Sequence, residues 1–426
     1  MKINVTWESS NRPPAEEKAT YCSLSIVSGA TCLTEAIDLL AESSTSSARV
    51  SAYHLAEWFA WNWYRLRWEP KRDGYSWASA HRMATVGGGY IWPNISFISD
   101  GVRMIVVTKP SNEADHGAIR YIADHALVQP AEHFESTVDE FIGTVLARLE
   151  VQSLRSTNLH DVWKSVLEDR ANPKENERRR FEAILGLEPD ELSLDQFDQI
   201  SDAASEFGTS AMEEFLAADQ SLTAADAICK VKSGFDFNPS SIRSLAKHSD
   251  APSSTEKPWV AGARIASHVR DMLNNSEAPV SDKELGEVIS VSEEVLQQGT
   301  EVAEMPMALE ENEAQSKLIL RSRIPTGKRF ELARLLGDQV AYSVTGRFSL
   351  CSSAQTYRQK FQRAFAAEFL CPFDSMFDHM HRRTDSDSID EVAAQYGVSP
   401  LVVQNHLINR GHIKRNDLDN DVETAA

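Results

Sequence analysis

From Ala131 to Leu149 the apolar positions Phe134, Val138, Phe141, Ile142 and Val145 recur near helical spacing, which predicts an amphipathic helix. The run Tyr53–Leu66, YHLAEWFAWNWYRL, is apolar on nearly every face and predicts a buried central helix. Gly87-Gly88-Gly89 with Trp92-Pro93 marks a turn. Beyond it, Asn94–Ile98 and Val102–Thr108 read as strands joined by a hairpin turn at Ser99-Asp100-Gly101. Leu159–Asp169 and Glu177–Leu185 predict short amphipathic helices. The Ser/Pro-rich stretch from Lys247 to Lys257 reads as an exposed loop or linker. Val280–Leu296 has a weak helix-turn-helix look. There is no tandem repeat and no heptad run long enough for a coiled coil.

These patterns predict an α+β chain, mostly helical. Residues 1–150 form an aromatic-rich α/β domain, residues 151–310 a helical, acidic middle, and residues 311–415 a helical C-terminal domain, before an acidic, disordered tail at 416–426. Six of the nine tryptophans lie between Trp58 and Trp92, where they read as core rather than as a ligand cage. Trp77 and His81 stand one helical turn apart, a spacing that core residues show more often than catalysts do. The triple glycine lacks the surroundings of a phosphate-binding loop and is assigned no such role.

Composition narrows the function classes. With 42% hydrophobic and 25% charged residues the chain has ordinary globular composition. No basic segment followed by an apolar run opens it, and no stretch approaches about 18 apolar residues, so neither a signal peptide nor a membrane span is expected. Five scattered cysteines without CxxC spacing imply reduced thiols in a cytoplasm. The net charge of −20 is concentrated: Phe181–Cys229 holds twelve acidic residues and no Lys or Arg. Solvated helix faces are the simplest reading of that block, and a docking surface for a basic partner is the other. Either disfavours non-specific binding to nucleic acid. The preceding Arg178-Arg179-Arg180 reads as a solvated basic face, pairing with nearby Glu residues.

The most informative segment is Arg329–Pro372, RFELARLLGDQVAYSVTGRFSLCSSAQTYRQKFQRAFAAEFLCP. Its second half ends in Phe365-Ala366-Ala367-Glu368-Phe369-Leu370-Cys371-Pro372. A closing segment follows, Asp390-Glu391-Val392-Ala393-Ala394-Gln395-Tyr396-Gly397-Val398-Ser399. Together these resemble the ImmA/IrrE family of metallopeptidases, over roughly residues 315 to 415. The resemblance implies a zincin-like helical domain in which an HExxH helix faces a later ExxANxFAAELLMP helix. Two imidazoles at i and i+4 then share one metal while the Glu activates its water.

This chain departs from the pattern at each ligand. The HExxH register reads Phe330-Glu331-Leu332-Ala333-Arg334, and the third ligand, a Glu in the family, falls on Gln359. Phe330 has no donor atom, Arg334 carries a permanent cation, and Gln359 is a poor zinc ligand. Catalytic zinc sites use three protein ligands, so no metal and no cofactor is expected here. Glu331 is then either a remnant general base or a carboxylate paired with Arg334 at i+3, the reading favoured. Phe330 is expected to fill the vacated metal cavity as core.

The resemblance therefore implies a pseudo-peptidase that works by binding. Its partner would be a protein, either a repressor-type DNA-binding protein or a partner enzyme, in prokaryotic stress, phage-defence or mobile-element regulation, with the first domain as sensor. Two alternatives stay open. One is a transcriptional regulator using the closing helix pair, whose second helix carries Gln404, Asn405, His406, Asn409 and Arg410. The other is an active metallopeptidase with displaced ligands such as His379 and His381.

Overall fold

A computed structural model describes residues 1–11, 14–111, 117–218, 223–253, 255–292, 294–297, 303–312, 315–342 and 346–413. The expected acidic tail lies outside them. The protein is α+β and mostly helical, with several small antiparallel sheets. It divides into two compact units, the first ending at Ser193 and the second beginning at Leu194.

In the first unit, Lys2–Trp7, Tyr21–Ser28, Thr31–Cys32 and Ala48–Ser51 form one antiparallel sheet, with Val5 opposite Leu24 and Cys22 opposite Val50. Alternate residues Cys22, Leu24 and Ile26 are fully buried, the period-two signature of a sheet covered on one face. A second sheet aligns Ile95–Ser99, Arg103–Thr108 and His125–Pro130. Its hairpin turn is held by Asp100, whose Oδ1 accepts from the backbone N–H groups of Val102 and Arg103 at 3.2 and 2.7 Å, with Gly101 at a positive φ of 89°. The helix Ala131–Val151 closes the core, and all five residues that define its stripe are buried.

The expected central helix is two helices, Ala52–Trp61 and Trp63–Trp68. Asn62 breaks it: the side-chain Nδ2 donates to the Trp58 carbonyl at 2.8 Å, a local bond that competes with the helix ladder. Nor is the run buried throughout, since Trp61 is 54% exposed. The helices Asn158–Ala171 and Pro173–Leu185 pack onto these two and belong to the first unit. The triple-arginine segment pairs with Glu182 as expected but is not a solvated face, since Arg179 is buried and Arg178 and Arg180 are half-buried. Arg179 reaches Asp169, Glu182 and Asp190 at 2.8–3.0 Å, while Arg180 lies over the Trp68 ring.

In the second unit a four-stranded antiparallel sheet runs in the order Phe235–Phe237, Ser316–Ile319, Met307–Glu310, Phe348–Leu350. The helix Pro325–Tyr342 packs against its Phe348–Leu350 edge and against Tyr357–Leu370, which in turn packs on Pro258–Met272. Three buried cations serve backbone carbonyls, all but that of Val280 at or near helix C-termini, where carbonyls lack partners. Arg270 donates to the carbonyl of Phe369, Lys328 to those of Val295 and Leu296, and Arg329 to those of Val280 and Gly397.

The helix Pro258–Met272 approaches Tyr357–Leu370 at Gly262, where backbone meets backbone. A Cβ there would lie 2.7 Å from the Phe361 carbonyl oxygen and 2.8 Å from the Phe365 nitrogen. Gly262→Ala should therefore destabilise by about 1–3 kcal/mol, despite alanine's better helix propensity. Calorimetry should show the midpoint of the second unit's transition lowered by roughly 2–10 °C.

Candidate functional site

The site is built where Pro325–Tyr342 crosses Tyr357–Leu370, with the strand Phe348–Leu350 leading into the loop between them. Gly337 permits the crossing: a Cβ there would meet the Phe365 ring at 2.5 Å. Arg334 on the first helix and Gln359 on the second are thereby brought face to face. Arg334 Nη2 donates to Gln359 Oε1 at 2.6 Å, to the Ser352 carbonyl at 2.8 Å and to Gln362 Oε1 at 3.3 Å. Two of the positions mapped to metal ligands thus meet directly, but as a guanidinium and an amide.

Gln359 is fully buried and its amide is used at both ends. Nε2 donates to the Leu350 carbonyl at 3.1 Å, and Oε1 also accepts from the Ser352 N–H at 2.8 Å. Gln362 extends the network: its Nε2 donates to the Leu350 carbonyl at 3.0 Å and to Asp338 Oδ1 at 2.8 Å. Asp338, with no exposed surface, receives both Nε and Nη2 of Arg358 at 2.6 Å. Glu214, one of the twelve residues of the acidic block, closes the far side by accepting from Thr356 Oγ1 at 2.7 Å. Burial pushes its carboxyl up to about 7, against the pull of Arg358. Glu214 and Glu182 are both buried, so the acidic block is not solvated throughout.

The other two mapped positions do not join this constellation. Glu331 is half-buried, and its Oε2 accepts from the backbone N–H groups of Arg321 and Ser322 at 2.9 and 3.0 Å. That replaces the expected pairing with Arg334, because two fixed amide donors sit where the helix begins while Arg334 is held by carbonyl and amide oxygens. Burial raises the Glu331 pKa, and those two donors oppose the rise. Phe330 is only half-buried and is not part of the core, so it does not fill a metal cavity.

Among the described residues, no three His, Cys, Asp or Glu side chains gather as a metal-holding group. His379 directs Nδ1 at the Ser375 carbonyl, 2.7 Å away, and at the Tyr396 hydroxyl, 3.0 Å away, while His381 is exposed with a positive φ of 49°. Their neighbour Asp378 contacts Arg382 instead. The closing pair comprises Ser386–Tyr396 and Pro400–Asn409, turned at Gly397 with φ 62° over buried Ala393 and Val403. Its second helix exposes Leu401, Gln404, Asn405 and Asn409. Cys22, Cys351 and Cys371 are buried with their thiols pushed up, the first two to about 12, which leaves them poor nucleophiles.

In the first unit, His81 stacks on Trp77 with ring centroids 4.3 Å apart and has no exposed surface. Burial lowers its pKa to about 4, outweighing the Trp77 and Arg65 carbonyls that face its two nitrogens. The folded state holds a neutral ring while the unfolded chain protonates near pH 6.5. Stability is therefore full above that pH and falls as pH drops toward 4, by roughly 3 kcal/mol in all. Denaturant titrations of His81→Gln should show that acid slope reduced by about one proton per molecule.

Comparison with protein-family models and with curated proteins finds no match to this chain.

Proposed function

We propose that the second unit is a zincin-like pseudo-peptidase of the ImmA/IrrE type that acts by binding a protein. The observation that carries this reading is the bond from Arg334 to Gln359. Two ligand positions mapped from sequence, 25 residues apart, face one another across two helices and hold a cation–amide lock. The order of elements supports it as well: antiparallel strands, the helix bearing the degenerate motif, a strand at the sheet edge, then the helix ending in Phe365–Pro372.

A guanidinium locked at this position repels a divalent ion and supplies no base to activate water. What remains is a rigid scaffold for holding a partner in the cytoplasm, either a repressor-type DNA-binding protein or a partner enzyme. No described helix is long and apolar enough to cross a membrane.

The test is metal content on untagged chain purified without chelators, paired with co-purification from the native host. Less than about one zinc per ten chains, with one protein recovered in stoichiometric amount, supports the reading. About one tightly held zinc per chain sinks the pseudo-peptidase. Recovery of no stoichiometric protein sinks the binding role.

A further inference from the structure

The first unit contains a cleft of about 410 Å³, unconnected with the peptidase resemblance. Its walls come from the helices Ala52–Trp61, Trp63–Trp68, Asn158–Ala171 and Pro173–Leu185 and from the loop at Leu187–Asp190. That volume suits a small organic ligand.

We propose that this cleft binds an organic cation, an ammonium or guanidinium group carried on an alkyl stem. Three independent observations point to that chemistry. The first is charge. The cleft is lined by Arg65 and Arg179 against Asp161, Glu168, Asp169, Glu182 and Asp190. Both arginines are already taken: Arg179 by Asp169, Glu182 and Asp190, and Arg65 by Glu69 and Glu188 at 2.8 and 2.7 Å. An anion would find no unpaired cation; the carboxylates pair too, Glu168 with Lys164 and Glu182 and Asp190 also with Arg178, but the exposed Asp161 carboxylate makes no hydrogen bond or ion pair among the described residues.

The second is Trp61. Of the six tryptophans from Trp58 to Trp92 it alone is exposed, and it lines this cleft. Its neighbours show what indole faces do in this unit. Arg170 lies over Trp63 at 4.4 Å, and Arg67 and Arg180 cover Trp68 at 3.8 and 4.1 Å. Trp61 carries no such cation among the described residues, so an indole face in the same cleft as the unpaired Asp161 carboxylate is open to one. The third is the apolar wall formed by Tyr64, Val162, Val166 and Leu187, which suits an alkyl stem.

Two sources carry this chemistry, a free amine or guanidine and an arginine or lysine side chain. Calorimetric titration of the full chain with butylguanidinium and with N-acetylarginine methylamide separates them, with butanoate as the anionic control. Saturable binding of either cation is expected below ~10 mM. It should be weakened roughly tenfold by Trp61→Ala and about threefold by Asp161→Asn, two exposed substitutions that leave the core untouched. Butylguanidinium alone binding assigns a free ligand, and comparable binding of the capped arginine assigns a side chain. No saturable cation binding, equal binding of butanoate, or affinity unchanged in both variants overturns the proposal.

Discussion

Replacing Phe330 and Arg334 with histidine and Gln359 with glutamate in one chain should create a zinc site holding about one metal per molecule, where the wild-type chain holds almost none. The expectation follows from the backbone. Positions 330 and 334 stand one turn apart on Pro325–Tyr342, and position 359 lies on the facing helix, its side chain 2.6 Å from that of Arg334. Imidazoles at i and i+4 with a carboxylate opposite supply three ligands and leave a fourth position open. The substitution also removes the Arg334 cation, whose repulsion of a divalent ion is the largest obstacle.

Two controls isolate the cause. Gln359→Glu alone should remain metal-free, because the new carboxylate pairs with Arg334. Phe330→His with Arg334→His, keeping Gln359, should bind zinc at least tenfold more weakly than the triple variant. Zinc content by mass spectrometry and competition against a chromophoric chelator read both. A triple variant that keeps its fold by circular dichroism yet stays metal-free would show that the three positions do not share a site, and the resemblance would fall with it.

What the chain reveals before folding is set by how far apart the interacting residues lie. The stripe of Ala131–Val151 and the hairpin around Asp100 are local patterns, and both stand where spacing and turn chemistry place them. The convergence of Arg334 on Gln359 was accessible only through the motif, because no periodicity links two helices across a loop. The break at Asn62 is not legible in the sequence, because the apolar run outweighs a single side-chain bond to Trp58. Arg178–Arg180 read as surface because charge runs usually are. The partners of Arg179 include Asp169, which the packing of two helices brings within reach, and Asp190, which the turn after its own helix brings back. Asp338 and Gln362 left one usable signal, polar residues one turn from Arg334 and Gln359, whereas Arg358, next to Gln359 in the chain, left none.

That last group carries the largest stability effect expected. Asp338 and Arg358 are both buried and joined by two 2.6 Å bonds, with Gln362 as the other donor to the carboxylate. Arg358→Ala removes the countercharge and leaves a buried carboxylate with one amide donor, which should cost about 3–5 kcal/mol. Asp338→Ala should cost about 2–4 kcal/mol, because the guanidinium keeps the Ser210 hydroxyl, the Tyr342 ring and the charge of the buried Glu214 as neighbours. The double variant Asp338→Leu with Arg358→Met discards both charges and keeps volume, so it should recover most of the loss. Denaturant unfolding of the wild type, the two alanine variants and their Asp338→Ala, Arg358→Ala combination, read as a double-mutant cycle, gives the coupling directly. If each single variant lost under about 1 kcal/mol, the pair would be solvated in solution and the network around Gln359 would not be the rigid support described above. A large coupling would mean that the Arg334–Gln359 lock is held from behind by charges that themselves cannot separate. Rigidity of that kind fixes how the helices Pro325–Tyr342 and Tyr357–Leu370 meet, and with it the place of Arg334 against Gln359.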